Sequence, residues 1–170
     1  MTKIWTQAGF AGNDPWVVET EELKAGEGQR PVIGLAAFLA DVEASNEGGY
    51  GVLIAPVDDV TVLAPYLDRI ALVAVAFPAF NDGRAFSHAS LLRSRLGFGG
   101  EVRAVGDVLI DQIPHMLRTG ITSFAVSNPV ALARLAEGRL PGIAEHYQPT
   151  ALGGEAATGY SWRRITLPAE

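Results

Sequence analysis

The stretch that decides the fold is IALVAVAFPAFNDGRAFSHASLLRSRLG, residues 70–97. It opens with an unbroken apolar run, Ile70–Phe77, carrying valine at 73 and 75. A strand with one wet face alternates apolar and polar residues. A strand with no polar interruption has both faces covered, as parallel strands in α/β layers do. Pro78 ends the run, and Asn81, Asp82, Gly83 and Arg84 crowd into its exit. From residue 83 to 96 the period becomes helical: Ala85, Ala89, Leu92 and Leu96 form one apolar stripe, and Gly97 supplies a left-handed stop. The segment therefore reads as a strand, a short polar loop and a helix.

The same rhythm extends on both sides. Residues 52–55 form a short apolar run, and Asp58 is placed to cap the helical segment that follows. Residues 102–105 read as a third strand, with Asp107 at the N-cap of a helix carrying Val108, Ile110, Ile113 and Leu117. Pro114 falls inside that helix and predicts a kink or a split. Residues 121–126 form a fourth strand. Ser127 and Asn128 suit a cap, Pro129 suits a first turn, and Gly138 closes the helix. Four strand–helix units in a row predict an α/β fold, a mostly parallel sheet or a partial barrel-like array, and the pattern does not choose between them. Upstream, Leu35, Phe38, Leu39 and Val42 repeat at helical spacing after a charged loop over residues 20–30. Lys3–Thr6 and residues 16–19 read as two strands around the turn-prone residues 12–15, a small β-rich extension. Residues 1–150 are expected to form one domain, followed by a Gly/Ala-rich tail over 151–170 in which residues 162–165 suit a docking arm.

Composition limits the chemistry. The chain has 170 residues, 48% apolar and 19% charged, with a formal net charge of −6. This allows a sizeable core and argues against a general nucleic-acid binder. Arg84, Arg93, Arg95 and Arg103 lie close enough in sequence to suggest a local basic patch. With no cysteine, thiolate nucleophiles, disulfides and cysteine-ligated iron–sulfur clusters are excluded within this chain. Residues 1–10 lack a secretory pattern and no apolar run reaches membrane-spanning length, so a cytoplasmic protein without membrane contact is expected. Trp5, Trp16 and the tail are candidates for a homo-oligomer interface.

Ligands of parallel α/β folds gather at the C-terminal ends of strands. There the sequence sets Asn81, Asp82, Arg84, Ser87 and His88 after one strand, Asp107, Asp111 and Gln112 after the next, and Ser127 and Asn128 after the last. Helix N-termini at that rim favour an anion, and Arg84 offers it a planar fork. Asp82 also suits a helix cap, and Arg84 also suits pairing with Asp82, Asp107 or Asp111. His88, His115 and His146 show no metal spacing, and no nucleotide, nucleophile-elbow or zinc motif is present, so no cofactor is identified.

The segment FPAFNDGRAFSHASLLRSRLGFGGEVRAVGDVLIDQIPHML resembles the bacterial family called domain of unknown function 934. The matches run through Phe77, Pro78, Phe80, Asp82, Gly83, Arg84, Ser87 and Arg93, then Gly100, Glu101, Arg103, Gly106, Asp107, Asp111 and Gln112. Tyr147-Gln148 resembles the family's closing pair, so the likeness covers about residues 50–148. Pro114 replaces a usual bulky apolar residue, and Thr119 stands where cysteine is common. The resemblance implies a role in assimilatory sulfate or sulfite reduction, because members are labelled oxidoreductases on the strength of neighbouring sulfite reductase genes. It brings no catalytic residues with it. On this reading Arg84 and Arg103 hold a small anionic ligand with Asn81, Ser87 and Gln112. Asp82, Asp107 and Asp111 orient the arginines or move protons, and any redox cofactor is borrowed or bound noncovalently. The alternative is a non-catalytic partner of sulfite reductase in which the Arg/Asp cluster is structural.

Overall fold

The computed structural model describes residues 2–79 and 82–141. Its strands are β1 (Lys3–Thr6), β2 (Gly9–Phe10), β3 (Trp16–Val18), β4 (Arg30–Gly34), β5 (Tyr50–Ile54), β6 (Ile70–Phe77), β7 (Glu101–Gly106) and β8 (Ser123–Val126). All eight join one sheet in the order β2-β1-β8-β7-β6-β5-β4-β3. Strands β3 to β8 are neighbours in chain order and parallel, while β1 lies antiparallel to β8 and β2. The connections are α1 (Leu35–Ala44), a 3-10 segment (Val60–Arg69), α2 (Arg84–Ser94) and α3 (Ile113–Arg118), with α4 (Pro129–Ala136) after β8.

Right-handed crossovers between successive parallel neighbours put the helices on one face of the sheet. Val73, Val75 and Phe77 of β6, Val102 and Ala104 of β7, and Phe124 and Val126 of β8 pack there with Phe38, Leu92 and Ile113. The alternate residues turn the other way: Val32, Leu72 and Ala74 pack with Trp16, Val18, Leu53 and Val105 on a face without helices.

That second face is concave, for a simple reason of reach. Strands β2 and β3 occupy opposite edges, yet only residues 11–15 join them. A flat sheet of eight strands is about 34 Å wide at the usual inter-strand spacing. The chain from Phe10 to Trp16 extends to about 21 Å at most. The sheet must curl into a half-barrel, and residues 11–15 form a strap over its hollow side.

The expected α/β fold of successive strand–helix units is present, as the half-barrel form of the two architectures. Several local expectations change. Strand β4 begins at the last residue of the expected loop and runs through residues 31–34, to which the sequence pattern assigns no element, because Pro31 and its short length hide the strand pattern. The turn-prone residues 12–15 lie in the strap, which spans opposite edges of the sheet from β2 to β3. The helix after β7 starts at Ile113 and not at Asp107, so Pro114 sits in its first turn, where a missing N–H is harmless. Asp59 and not Asp58 caps the 3-10 segment, accepting from the Thr61 N–H at 2.9 Å, while Asp58 accepts from the Ala55 N–H at 2.7 Å. Asn128 caps α4 as its sequence suggests, accepting from the Val130 and Ala131 N–H groups.

Of the two tryptophans named for an interface, Trp5 is buried and Trp16 is half-buried. Trp5 packs on Phe124, and the Trp16 ring lies over Gly51 with the Arg30 guanidinium 4.1 Å from its centroid. The basic patch also disperses. Arg93 donates to the carbonyls of Phe98, Gly100 and Gly120, tying the end of α2 to two loops. Phe80, Asn81, His146, Tyr147, Gln148 and the tail with its arm lie outside the described residues. Among those described, no helix is long and apolar enough to cross a membrane.

Gly106 closes β7 at φ +95°, and a Cβ there would collide with the Phe77 carbonyl oxygen. Gly106→Ala is therefore expected to destabilise the protein by about 1–3 kcal/mol, read as a lower urea midpoint at unchanged slope.

Candidate functional site

The helix-side rim is built around Asp82 and Arg84. Arg84 Nε donates to Asp82 Oδ1 at 3.0 Å and Nη2 to Oδ2 at 2.7 Å, and the Arg84 backbone N–H adds a third bond. The bonded guanidinium holds the Asp82 carboxyl below its ordinary range, and the carboxylate raises Arg84 in return. Arg84 is more than half exposed, so this is a solvated surface pair. Ser87 is exposed on α2, and Asp107 and Asp111 are exposed in the segment between β7 and α3. The Asp107 N–H extends the sheet by donating to the Phe77 carbonyl at 2.7 Å. Gln112 stands at the N-cap position of α3. His88 is buried on α2 and feels Asp58, Asp59, Asp82 and Arg84; burial pushes its imidazole pKa down.

Arg103 lies elsewhere. Its neighbours Val102 and Ala104 face the helices, so strand alternation turns Arg103 into the hollow, on the face that α2 and Arg84 do not cover. It is 4% exposed. Nη1 donates to Asp14 Oδ2 at 2.7 Å and Nη2 to Asp14 Oδ1 at 2.8 Å. Nε and Nη2 both donate to Glu101 Oε1, at 3.0 and 2.7 Å, and Nε also reaches Ser123 Oγ. The Ser123 hydroxyl donates to the same Glu101 oxygen. Burial alone would lower the Arg103 pKa; the bonds to Asp14 and the charge of Glu101 outweigh it and raise it. The structure thus gathers Asp82 with Arg84 at one rim and leaves Arg103 in a separate cluster on the opposite face.

The strap and this cluster divide the hollow in two. The upper cavity, at the C-terminal ends of the parallel strands, has a volume of about 1020 Å³. Leu53, Ala76, Val105, Gly106 and Ala125 form its floor, with Phe10 and Leu23 among its walls and Lys3 and Ser127 also lining it. The lower cavity, about 390 Å³, is more polar and is lined by Thr6, Asn13, Glu101, Thr122 and Ser123. Asp14 and Arg103 border both. Lys3 borders the upper cavity and makes no ion pair among the described residues; it stands opposite Val126 on the strand face that carries Trp5, which turns its side chain to the helix side, with Nζ 5.8 Å from the Phe10 ring centroid. No group of three metal-ligating side chains occurs among the described residues.

Sequence reasoning missed Asp14 and Glu101. The period-two spacing of Glu101 and Arg103 was a usable signal, since it puts both on one face. Nothing local connects Asp14 to an arginine 89 positions away.

Residues 51–157 match the profile of a family described as "Bacterial protein of unknown function (DUF934)". The match takes in β6, β7, β8 and Arg103, and leaves β1 to β4 and the strap outside. No curated protein and no solved structure matches the chain.

Two outcomes test this geometry. Arg103→Met would strand two neighbouring carboxylates and is expected to lower stability by about 3 kcal/mol in urea denaturation. His88 has its pKa lowered by burial, so as pH falls below about 6.5 the unfolded chain takes up the proton first and stability drops. In His88→Gln the loss of stability between pH 7.5 and 5.5 should be visibly smaller than in the parent protein.

Proposed function

The chain belongs to this family of bacterial proteins of unknown function, and we propose that it binds a small organic anion in the upper cavity as an accessory protein of assimilatory sulfite reduction. The observation that carries this reading is the cavity itself. It opens where parallel α/β folds hold ligands. Its volume matches the upper end of ordinary small-molecule sites, about 300–1000 Å³. An apolar floor accommodates an apolar body, and the Arg103 guanidinium at its border favours a negative group beside it.

The setting in sulfite reduction, and with it a cytoplasmic location, rests on the family resemblance. A sulfonate or carboxylate headgroup is the chemistry this setting suggests. Binding is favoured over turnover by the placement of the acids. Asp82, Asp107 and Asp111 stand outside the cavity lining, and Asp14 is bonded to Arg103. Both ion-pair clusters having their own carboxylates also favours the non-catalytic, sulfite reductase-associated form of the reading.

Calorimetric titration with 1-naphthalenesulfonate tests the site. The sulfonate is expected to bind more tightly than neutral 1-naphthol. Lys3→Ala, whose side chain turns to the helix side, should leave it nearly unchanged. Ala76→Trp, which fills the floor, should abolish it, and Arg84→Ala should leave it unchanged. Loss of binding in Arg84→Ala alone would move the site to the helix-side rim. Co-elution with sulfite reductase on size exclusion is expected, and separate elution would remove the proposed setting.

A further inference from the structure

We propose that Asp14 is a tethered carboxylate seated in an oxyanion receptor on Arg103, and that the anionic group of an incoming ligand displaces it. This rests on the reading of the upper cavity as a ligand site and names where the charged group comes to rest. The receptor is the outer edge of the guanidinium. Nη1 and Nη2 present the two parallel bonds with which arginine receives planar carboxylates and sulfonates, at 2.7 and 2.8 Å from the Asp14 oxygens. The inner edge has fixed partners within the sheet, Glu101 on the same strand and Ser123 on the next.

Charge leaves one carboxylate in excess at Arg103, and the strap marks Asp14 as the one that exchanges. One guanidinium faces two carboxylates, so the three groups sum to −1. If Asp14 leaves, Arg103 and Glu101 remain a neutral pair. The strap is built to let go. Ala11 N–H is bonded to the Ile4 carbonyl, and the Pro15 carbonyl receives the Arg30 N–H. Between these anchors, residues 12–14 make no backbone hydrogen bond among the described residues, and Gly12 and Asn13 are exposed. The Asp14 carboxylate is thus the strap's grip on the sheet. Arg103 borders the upper cavity, so a ligand can reach it from there while the displaced carboxylate turns to solvent.

Titration of the full chain with 1-naphthalenesulfonate provides the test. Asp14→Asn keeps the side chain's size and removes its competing charge, and the sulfonate is expected to bind it about tenfold more tightly than the parent protein. Asp14→Ser gives the same comparison if the asparagine variant does not fold. Glu101→Gln removes a charge from the inner edge and is expected to give no such gain. Equal or weaker binding by the Asp14 variants, with parent binding still abolished by Ala76→Trp, would overturn the displacement while leaving the upper cavity as the site. Equal gains from Asp14→Asn and Glu101→Gln would overturn it too, as a general effect of charge. Absence of binding by parent and Asp14 variants alike would overturn both readings together.

Discussion

The reach of residues 11–15 governs this structure. They join the two outermost strands of an eight-stranded sheet, and no flat sheet of that width can be closed by so short a link. Curling brings the two edges near each other and turns the helix-free face into a hollow. The Asp14–Arg103 bond then fixes the strap at mid-hollow. The cavities and the burial of Arg103 both descend from that one constraint.

Buried ion pairs are not a strong source of stability, because removing charges from water offsets most of their attraction. The Arg103 cluster is better understood as a device of placement. Its donors are directional and its partners lie on two strands and the strap, so few alternative packings satisfy them at once. The main stabilisation comes from the other face. Phe38, Phe77, Leu92, Ile113 and Phe124 are fully buried there between sheet and helices.

Local pattern revealed the parallel core well. The apolar run of β6 and the stripe of α2 carry both ends of a strand–helix unit in adjacent residues, and the structure reproduces them closely. Strand β4 escaped because Pro31 and a five-residue length mask its period. The start of α3 escaped because Pro114 was read as a disruption when it marks a first turn. The site was less legible for a deeper reason. Helix caps and loop polarity are local, so Asp82 and Arg84 announced their own pairing. The face to which Arg103 belongs follows from alternation within β7, but its partner Asp14 is fixed by closure of the whole sheet, which leaves no trace in any short window.

The boundary of the family match gives the strap a particular significance. Arg103 lies inside residues 51–157 and Asp14 lies before them. Socket and stopper thus belong to stretches of chain that natural variation can treat separately. A relative that keeps the arginine on its strand but carries a different N-terminal crossing would own the same socket with another stopper, or none. The threshold for occupancy could then be reset by a few residues at the front of the chain, with the half-barrel left untouched.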